Sequence, residues 1–342
     1  MFQRFFVPLD GSARAEKAIP VAARLAHAAN GTVTLARILV PDSGSDEYGA
    51  NVLANETRLV QPEMVAEAKA YLDTILERYD QELEGIHLVL ETAPGTIPST
   101  LLTLSDQEQS DLIVMCSRGD TWLKRWIFGS VAQATFRRSH LPVLVLSEHG
   151  ATLSLDGNPL RILVPLDGSE LAEMVLDPIF QLLSTIPSSA PHQIHLFQVI
   201  ATPPATSGLR SAAYLTDALQ KEERQAAEYA LQVLAQRLSR SKPEAARCVI
   251  TTSVTINPDI AGAIVAHAGA KTNEGEPAYD LIALATHGRT GFRRAILGSV
   301  TEHVFGATPL PLLVVHPMTT KASAGPGKPE PAERPQSWAG LL

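Results

Sequence analysis

The chain has 342 residues, 45% hydrophobic and 19% charged, enough apolar material for two ordinary domains and too much for overall disorder. With 28 basic against 36 acidic residues the net charge is −8, which argues against a general nucleic-acid binder, because such a protein needs a basic face for the phosphates. Two cysteines, Cys116 and Cys248, end apolar runs without metal-ligand spacing, so the composition argues against a disulfide framework and fits a reducing compartment.

The first residues, "MFQRFFVPLDGS", lack a charged segment followed by an apolar one, and no apolar run approaches the roughly 20 residues of a membrane span. A soluble, cytoplasmic protein is the expectation. Phe2–Pro8 predicts a strand. Ser12 then offers a helix N-cap, and Ala15, Ala18, Ala22, Leu25, Ala26 and Ala29 recur at helical spacing. Pro20 inside that pattern predicts a kink or a slipped helix start. Next come a strand at Gly31–Val40, a polar loop at Pro41–Leu59 and a helix at Gln61–Leu83. They are followed by a strand at Ile86–Glu91, a helix at Ile97–Gln107 and a strand at Asp111–Cys116. Ser130–Arg138 closes the run as a helix and Pro142–Leu146 as a strand.

The chain then repeats. "VPLDGS" stands at Val7–Ser12 and again at Val164–Ser169, and "GSVAQATFRRSHLPVLVL" (Gly129–Leu146) parallels "GSVTEHVFGATPLPLLVV" (Gly298–Val315). A shared beginning and a shared end at a domain-sized period mark a tandem duplication. The expected bounds are a first domain at 1–148, a linker at 149–159, a second domain at 160–318 and a disordered tail at 319–342, whose Pro, Gly and Ala content cannot offset the entropy of ordering. Strands of the second copy are expected at Arg161–Pro165, Gln193–Ile200, Arg247–Ser253, Asp280–Ala285 and Pro311–His316, with a long charged helix at Leu209–Leu238. Apolar strands alternating with helices imply, in each copy, a parallel sheet covered on both faces, a doubly wound α/β domain. In such sheets the ligand crevice lies at the carboxyl ends of the strands. The aspartate after strand one, the end of strand two and the loop after strand four all fall there.

That last loop, "ATHGRTGFRRAILGSV" (Ala285–Val300), runs from Gly288 through nine residues to Gly298 and Ser299 at a helix start. A helix start presents unpaired N–H groups and a positive dipole end, glycine allows close backbone approach, and Arg289, Arg293 and Arg294 raise the local potential. It is neither a Walker A sequence nor a G-x-G-x-x-G fingerprint. By itself it reads first as a turn that Ser299 caps and only second as an anion cradle. Asp10 and Asp167 divide between ligand contact and an approach to the following helix. For His287 the reading is a structural loop histidine, with no nucleophile or orienting carboxylate at a readable spacing, and for Cys116 a buried strand-end thiol. His303 and His316 are expected at the seam between the copies or in solvent.

Taken together, "VPLDGS", "ATHGRTGFRRAILGSVTEHV" and "PLPLLVV" resemble the universal stress protein family over Met1–Leu146 and Leu160–Pro317. The resemblance implies a five-stranded parallel sheet of order 3-2-1-4-5 in each copy and, in ATP-binding members, a G-x2-G-x9-G-(S/T) phosphate cradle; other members lack the motif and bind no ATP. Carried over, the second copy offers Asp167, Val199, Ala285, Gly288, Gly298 and Ser299, with alanine in place of the first glycine. The first copy offers Asp10, Ile38, Cys116, Gly119, Gly129 and Ser130, with cysteine at that place and Asp120 where the second copy has Arg289. A carboxylate beside a triphosphate is repulsive by roughly 1 kcal/mol or more. The resemblance therefore implies a stress-response protein that binds ATP, with Mg2+, better in the second copy, or a scaffold of the same fold that binds none. An enzyme is not expected, since adenylyl-transfer, pyrophosphatase, Walker A and metal-ligand patterns are absent. It also implies an internal pseudo-dimer in which "PVLVL" pairs with "PLLVV", with a homo-oligomer as a further prospect.

Overall fold

The computed structural model describes residues 1–39, 61–85, 87–94, 97–117, 130–153, 155–202, 210–272, 275, 277–286 and 298–316; for 87–94, 130 and 210–218 it describes backbone alone. Both halves enter their first helix by the same local device. Ser12 and Ser169 accept hydrogen bonds from the amides of Ala15 (3.2 Å) and Ala172 (3.1 Å), which caps two short helices, α1 (Ala13–Glu16) and, in the second half, α7 (Glu170–Glu173). The chain then restarts as α2 (Ala18–Ala29) or α8 (Leu176–Thr185). Pro20 and Pro178 are each the third residue of the restarted helix, where the missing N–H leaves no helical bond unmade. The predicted slipped start is what the proline produces.

The strands of the first half are β1 (Arg4–Leu9), β2 (Thr32–Leu39), β3 (His87–Pro94), β4 (Leu112–Ser117) and β5 (Val143–Ser147). Its other helices are α3 (Pro62–Arg78), α4 (Asp80–Leu83), α5 (Ile97–Gln107) and α6 (Ser130–Arg138). The expected single helix over Gln61–Leu83 is thus broken at Tyr79, whose backbone leaves the helical region (φ −110°, ψ 27°) as its hydroxyl reaches Glu16. The second half has β6 (Arg161–Leu166), β7 (His192–Ile200), β8 (Cys248–Ile256), β9 (Leu281–Ala285) and β10 (Leu312–Val315). Its helices after α8 are α9 (Arg210–Ser241), α10 (Ile260–Ala268) and α11 (Ser299–Ala307), with a 3-10 turn at Pro243–Arg247.

All ten strands join one sheet in the order β3-β2-β1-β4-β5-β10-β9-β6-β7-β8. Pairing is parallel within each half and antiparallel at the join, where Val143, Leu144 and Val145 face Val314, Leu313 and Leu312. Each half therefore hides one edge of its sheet against the other. Alternate residues of the central strands feed two cores: Phe5, Val7 and Leu9 pack on one face, Phe6 on the other. This explains why "FFVPL" and "DLIVMC" read as continuous apolar runs rather than alternating ones.

The helices cross the join as well. Phe136 on α6 meets Phe305 on α11 edge to face, centroids 5.4 Å apart. Glu302 on α11 accepts hydrogen bonds from Gln133 (3.2 Å) and Arg137 (3.3 Å) on α6. On the other face the Phe2 amide donates to Thr185 at the end of α8 (3.1 Å). The segment read as a linker is itself docked: the Ala151 amide donates to the Pro309 carbonyl and Leu153 is fully buried. The C-terminal tail expected to be disordered, with Trp338, lies outside the described residues.

Candidate functional site

The carboxyl ends of β6, β7 and β9 and the start of α11 enclose a cavity of about 480 Å³. Five of the six second-copy residues singled out from sequence line it: Asp167, Val199, Ala285, Gly298 and Ser299. Gly288 lies outside the described residues, as does His287.

The α11 end is built for close backbone approach. The Gly298 amide donates to the Thr286 carbonyl (2.9 Å), and a Cβ on Gly298 would stand 2.7 Å from that same oxygen, closer than real Cβ atoms come. The first intrahelical bond runs from the Glu302 amide to the Gly298 carbonyl, so the amides of Ser299, Val300 and Thr301 precede the helical ladder. Thr301 donates its hydroxyl to the Ala285 carbonyl (3.2 Å), pinning the helix start to the end of β9. The Thr286 hydroxyl is hydrogen-bonded to His316 Nδ1 (2.8 Å), so His316 turns toward the cavity wall while His303 is exposed. Amides, hydroxyls and a positive helix end converge here, the chemistry that holds an anion.

The cavity is also lined by carboxylates, Asp167 and Glu223. Asp167 accepts from the Ser169 amide (3.0 Å) and hydroxyl (2.6 Å), a turn that aims the chain into α7. Both sequence readings of this aspartate therefore meet in one residue: it organises the helix start and it lines the cavity. Glu223, from α9, and Gln198, from β7, also line it and were not singled out in the sequence. Nothing in local spacing points to Glu223; only the crossing of α9 over the sheet brings it there.

The first copy differs at each of these places. Burial would raise the pKa of Asp10, but hydrogen bonds from Ser12 and the charge of Arg14, 2.8 Å away, outweigh it and hold the carboxyl below its usual range. The second copy has Leu171 in place of Arg14. Arg37, paired with Leu9 as Gln198 is with Leu166, donates to the Leu9 carbonyl and lies 3.4 Å from where a Gly11 Cβ would be. Its guanidinium also sits 5.8 Å from the centre of the Tyr71 ring. Ile38 is buried. The Cys116 thiol is buried too, and that burial pushes its pKa to about 11, against the smaller pull of Lys17 and Arg14; it is the inert strand-end thiol expected. Ser130 opens α6, while Gly119 and Gly129 lie outside the described residues.

Among the described residues no group of three or more His, Cys, Asp or Glu side chains could hold a metal ion. One polar cluster escaped the sequence reading. His195 on β7 is bonded through its two ring nitrogens to Thr251 and Ser253 of β8, each at 2.7 Å. It stacks on His267, centroids 5.2 Å apart, and His267 is bonded to the Tyr279 hydroxyl (2.9 Å).

A sequence model described as the Universal stress protein family matches residues 1–147 and again residues 160–316. The chain belongs to the universal stress protein family. It is 24% identical over 323 residues to a universal stress protein of Mycolicibacterium smegmatis, covering 91% of this chain and 96% of that one. It is 26% identical over 169 residues to the stress response protein NhaX of Bacillus subtilis, covering 42% of this chain and 96% of the relative. The crystal structure of a universal stress protein from Archaeoglobus fulgidus superposes with a TM-score of 0.58 at 18% identity, covering 92% of this chain and 96% of that chain, a likeness of fold. No described helix is long and apolar enough to cross a membrane.

Proposed function

We propose that this universal stress protein binds an adenine nucleotide, ATP, in the cavity of its second half and holds it as a stress-response ligand without fast turnover. The observation that carries this reading is the convergence of Asp167, Val199, Ala285, Gly298 and Ser299 on one cavity of nucleotide size. Gly298 supports it independently, because its backbone stands where any side chain would collide with Thr286. In this reading the amides at the start of α11 and the Ser299 hydroxyl hold phosphate, Asp167 meets the nucleoside side, and the β7 end at Val199 meets the base. Arg14 on Asp10, Arg37 over Gly11 and the Cys116 side chain make the first copy the poorer site.

A second reading rests on Ala285. Its methyl stands where the family motif has its first glycine, and Ala285 lines the cavity. A scaffold that holds no nucleotide is the outcome if that methyl excludes phosphate.

Calorimetric titration of the full chain with ATP–Mg decides between them. The expected result is binding at one site per chain, with a rise in melting temperature, since a ligand specific for the native state stabilises it. Gly298→Val abolishes binding and Gly129→Val leaves it unchanged. No heat and no thermal shift would favour the scaffold, and loss through Gly129→Val alone would move the site to the first half.

A further inference from the structure

We infer that Gln198 and Glu223 choose the base of the ligand: they form a hydrogen-bonding corner that takes the amino-bearing edge of adenine and turns away purines with a carbonyl at that place. This rests on the proposed nucleotide binding and adds to it the residues that select the ring. Gln198 carries the inference. It is only 8% exposed, it lines the cavity, and among the described residues its amide has no hydrogen-bond partner. A buried amide without a partner is costly, so a ligand that supplies the missing bonds gains by meeting it. Leu196 and Ile200, two residues to either side on β7, sit in the core beneath α9, so Gln198 points toward α9 as well. Glu223 comes from that helix. Ala227, Leu231, Leu234 and Leu238 form its core face, and Glu223 stands one turn before Ala227 on the same face. It reaches the cavity at its exposed mouth, and no other described residue bonds or pairs with it.

The first half gives the contrast. α3 and α9 align residue for residue from Gln61 and Gln220 to Arg78 and Arg237. The alignment is anchored in space, because Arg78 pairs with Glu16 and Arg237 with Glu173, the last residues of the two capped helices. On it Met64 stands at the place of Glu223 and Tyr71 at the place of Ala230, while strand register puts Arg37 at the place of Gln198. Arg37 is occupied within the protein, by the Leu9 carbonyl and the Tyr71 ring. Gln198 has no such internal partner among the described residues, and an apolar methionine has given way beside it to a carboxylate.

The chemistry of the pair selects the ring. A glutamine side chain bonds adenine at two adjacent positions, accepting from the exocyclic amine and donating to a ring nitrogen. An ionised carboxylate only accepts, so Glu223 suits the second hydrogen of the same amine. Hypoxanthine and guanine carry a carbonyl oxygen where adenine has that amine. The oxygen offers no hydrogen and meets the carboxylate as acceptor against acceptor. The donors at the start of α11 lie at the other end of the cavity wall, where they are left to the phosphates.

Calorimetric titration of the full chain with the Mg2+ complexes of ATP, ITP, GTP and 2′-deoxy-ATP provides the test, repeated on two variants whose folding is checked by circular dichroism. The parent is expected to bind ATP at least about tenfold more tightly than ITP or GTP, the discrimination that a good two-bond contact to a base provides. Gln198→Leu, an apolar side chain of similar size, and Glu223→Met, the first half's own residue, are each expected to cut that ratio by at least about threefold, the net effect of one lost hydrogen bond. Equal binding of ATP, ITP and GTP by the parent, or a ratio unchanged in either variant, overturns the inference and leaves the nucleotide site standing. A change confined to ATP against 2′-deoxy-ATP overturns it too, by placing the pair on the sugar. No binding of any of the four overturns both the inference and the nucleotide reading.

Discussion

Gly298 shows how one missing side chain can serve two ends. Its Cα hydrogen faces the Thr286 carbonyl, and the resulting approach of α11 to β9 brings the helix start onto the cavity. Gly298→Ala should therefore cost stability as well as ligand. The expected loss is about 1–3 kcal/mol, the usual cost of forcing an added carbon against fixed backbone, read by urea unfolding, together with at least a tenfold weaker response to ATP. His195 sets a different residue-scale expectation. Burial, helped by the neighbouring His267, lowers its pKa to about 4, and burial lowers that of His267 as well. An unfolded histidine takes up its proton near pH 6.5 while the folded His195 resists until about pH 4, so the folded state loses ground as the pH falls between those values. Melting temperature should be level above pH 6.5 and decline toward pH 4. In His195→Gln the decline should be shallower; an unchanged slope would assign it to other groups.

At the scale of elements, the short helices α1 and α7 are anchored by the same glutamate in two ways. Glu16 is buried, and its carboxylate accepts from Arg78 and from the hydroxyls of Tyr71 (3.2 Å) and Tyr79 (3.5 Å) on the helical layer above. Glu173 pairs instead with Arg237 of α9 at a half-exposed place. Removing a partner from a buried carboxylate leaves an uncompensated charge, whereas an exposed pair contributes little. Arg78→Ala is expected to lower the melting temperature by several degrees and Arg237→Ala to change it hardly at all, measured side by side by calorimetry. Most elements of this layer were legible from hydrophobic spacing, because a helix or strand is chosen locally by which positions are apolar. The break at Tyr79 was not, since neither glycine nor proline stands there to mark it.

Over the whole molecule, the join makes two domains into one ten-stranded sheet. Phe136 is 1% exposed and meets Phe305 across the join, and Glu302 of the second half is held by Gln133 and Arg137 of the first. Phe136→Ala should cost about 3–5 kcal/mol, as large-to-small changes at buried aromatic residues do. Because the ring serves both halves, the loss should appear at the same denaturant concentration in tryptophan fluorescence, which reports the first half through Trp122 and Trp126, and in the loss of amide hydrogen-exchange protection in the second half. Two separate transitions in the parent chain would show that the halves unfold independently.

The sequence by itself determined the duplication, the alternation of strand and helix, and the residues that meet at the carboxyl edge of the second half. Those follow from local pattern and from the rule that parallel sheets open toward ligands at one end. Only the tertiary structure decided that Arg37 lies over Gly11 at the first copy's edge, that Glu223 reaches the second copy's cavity, and that His195 and His267 stack. Each of these joins residues distant in the chain, and such a contact is set by how strands pair and helices cross the sheet, which no spacing along one strand or helix records.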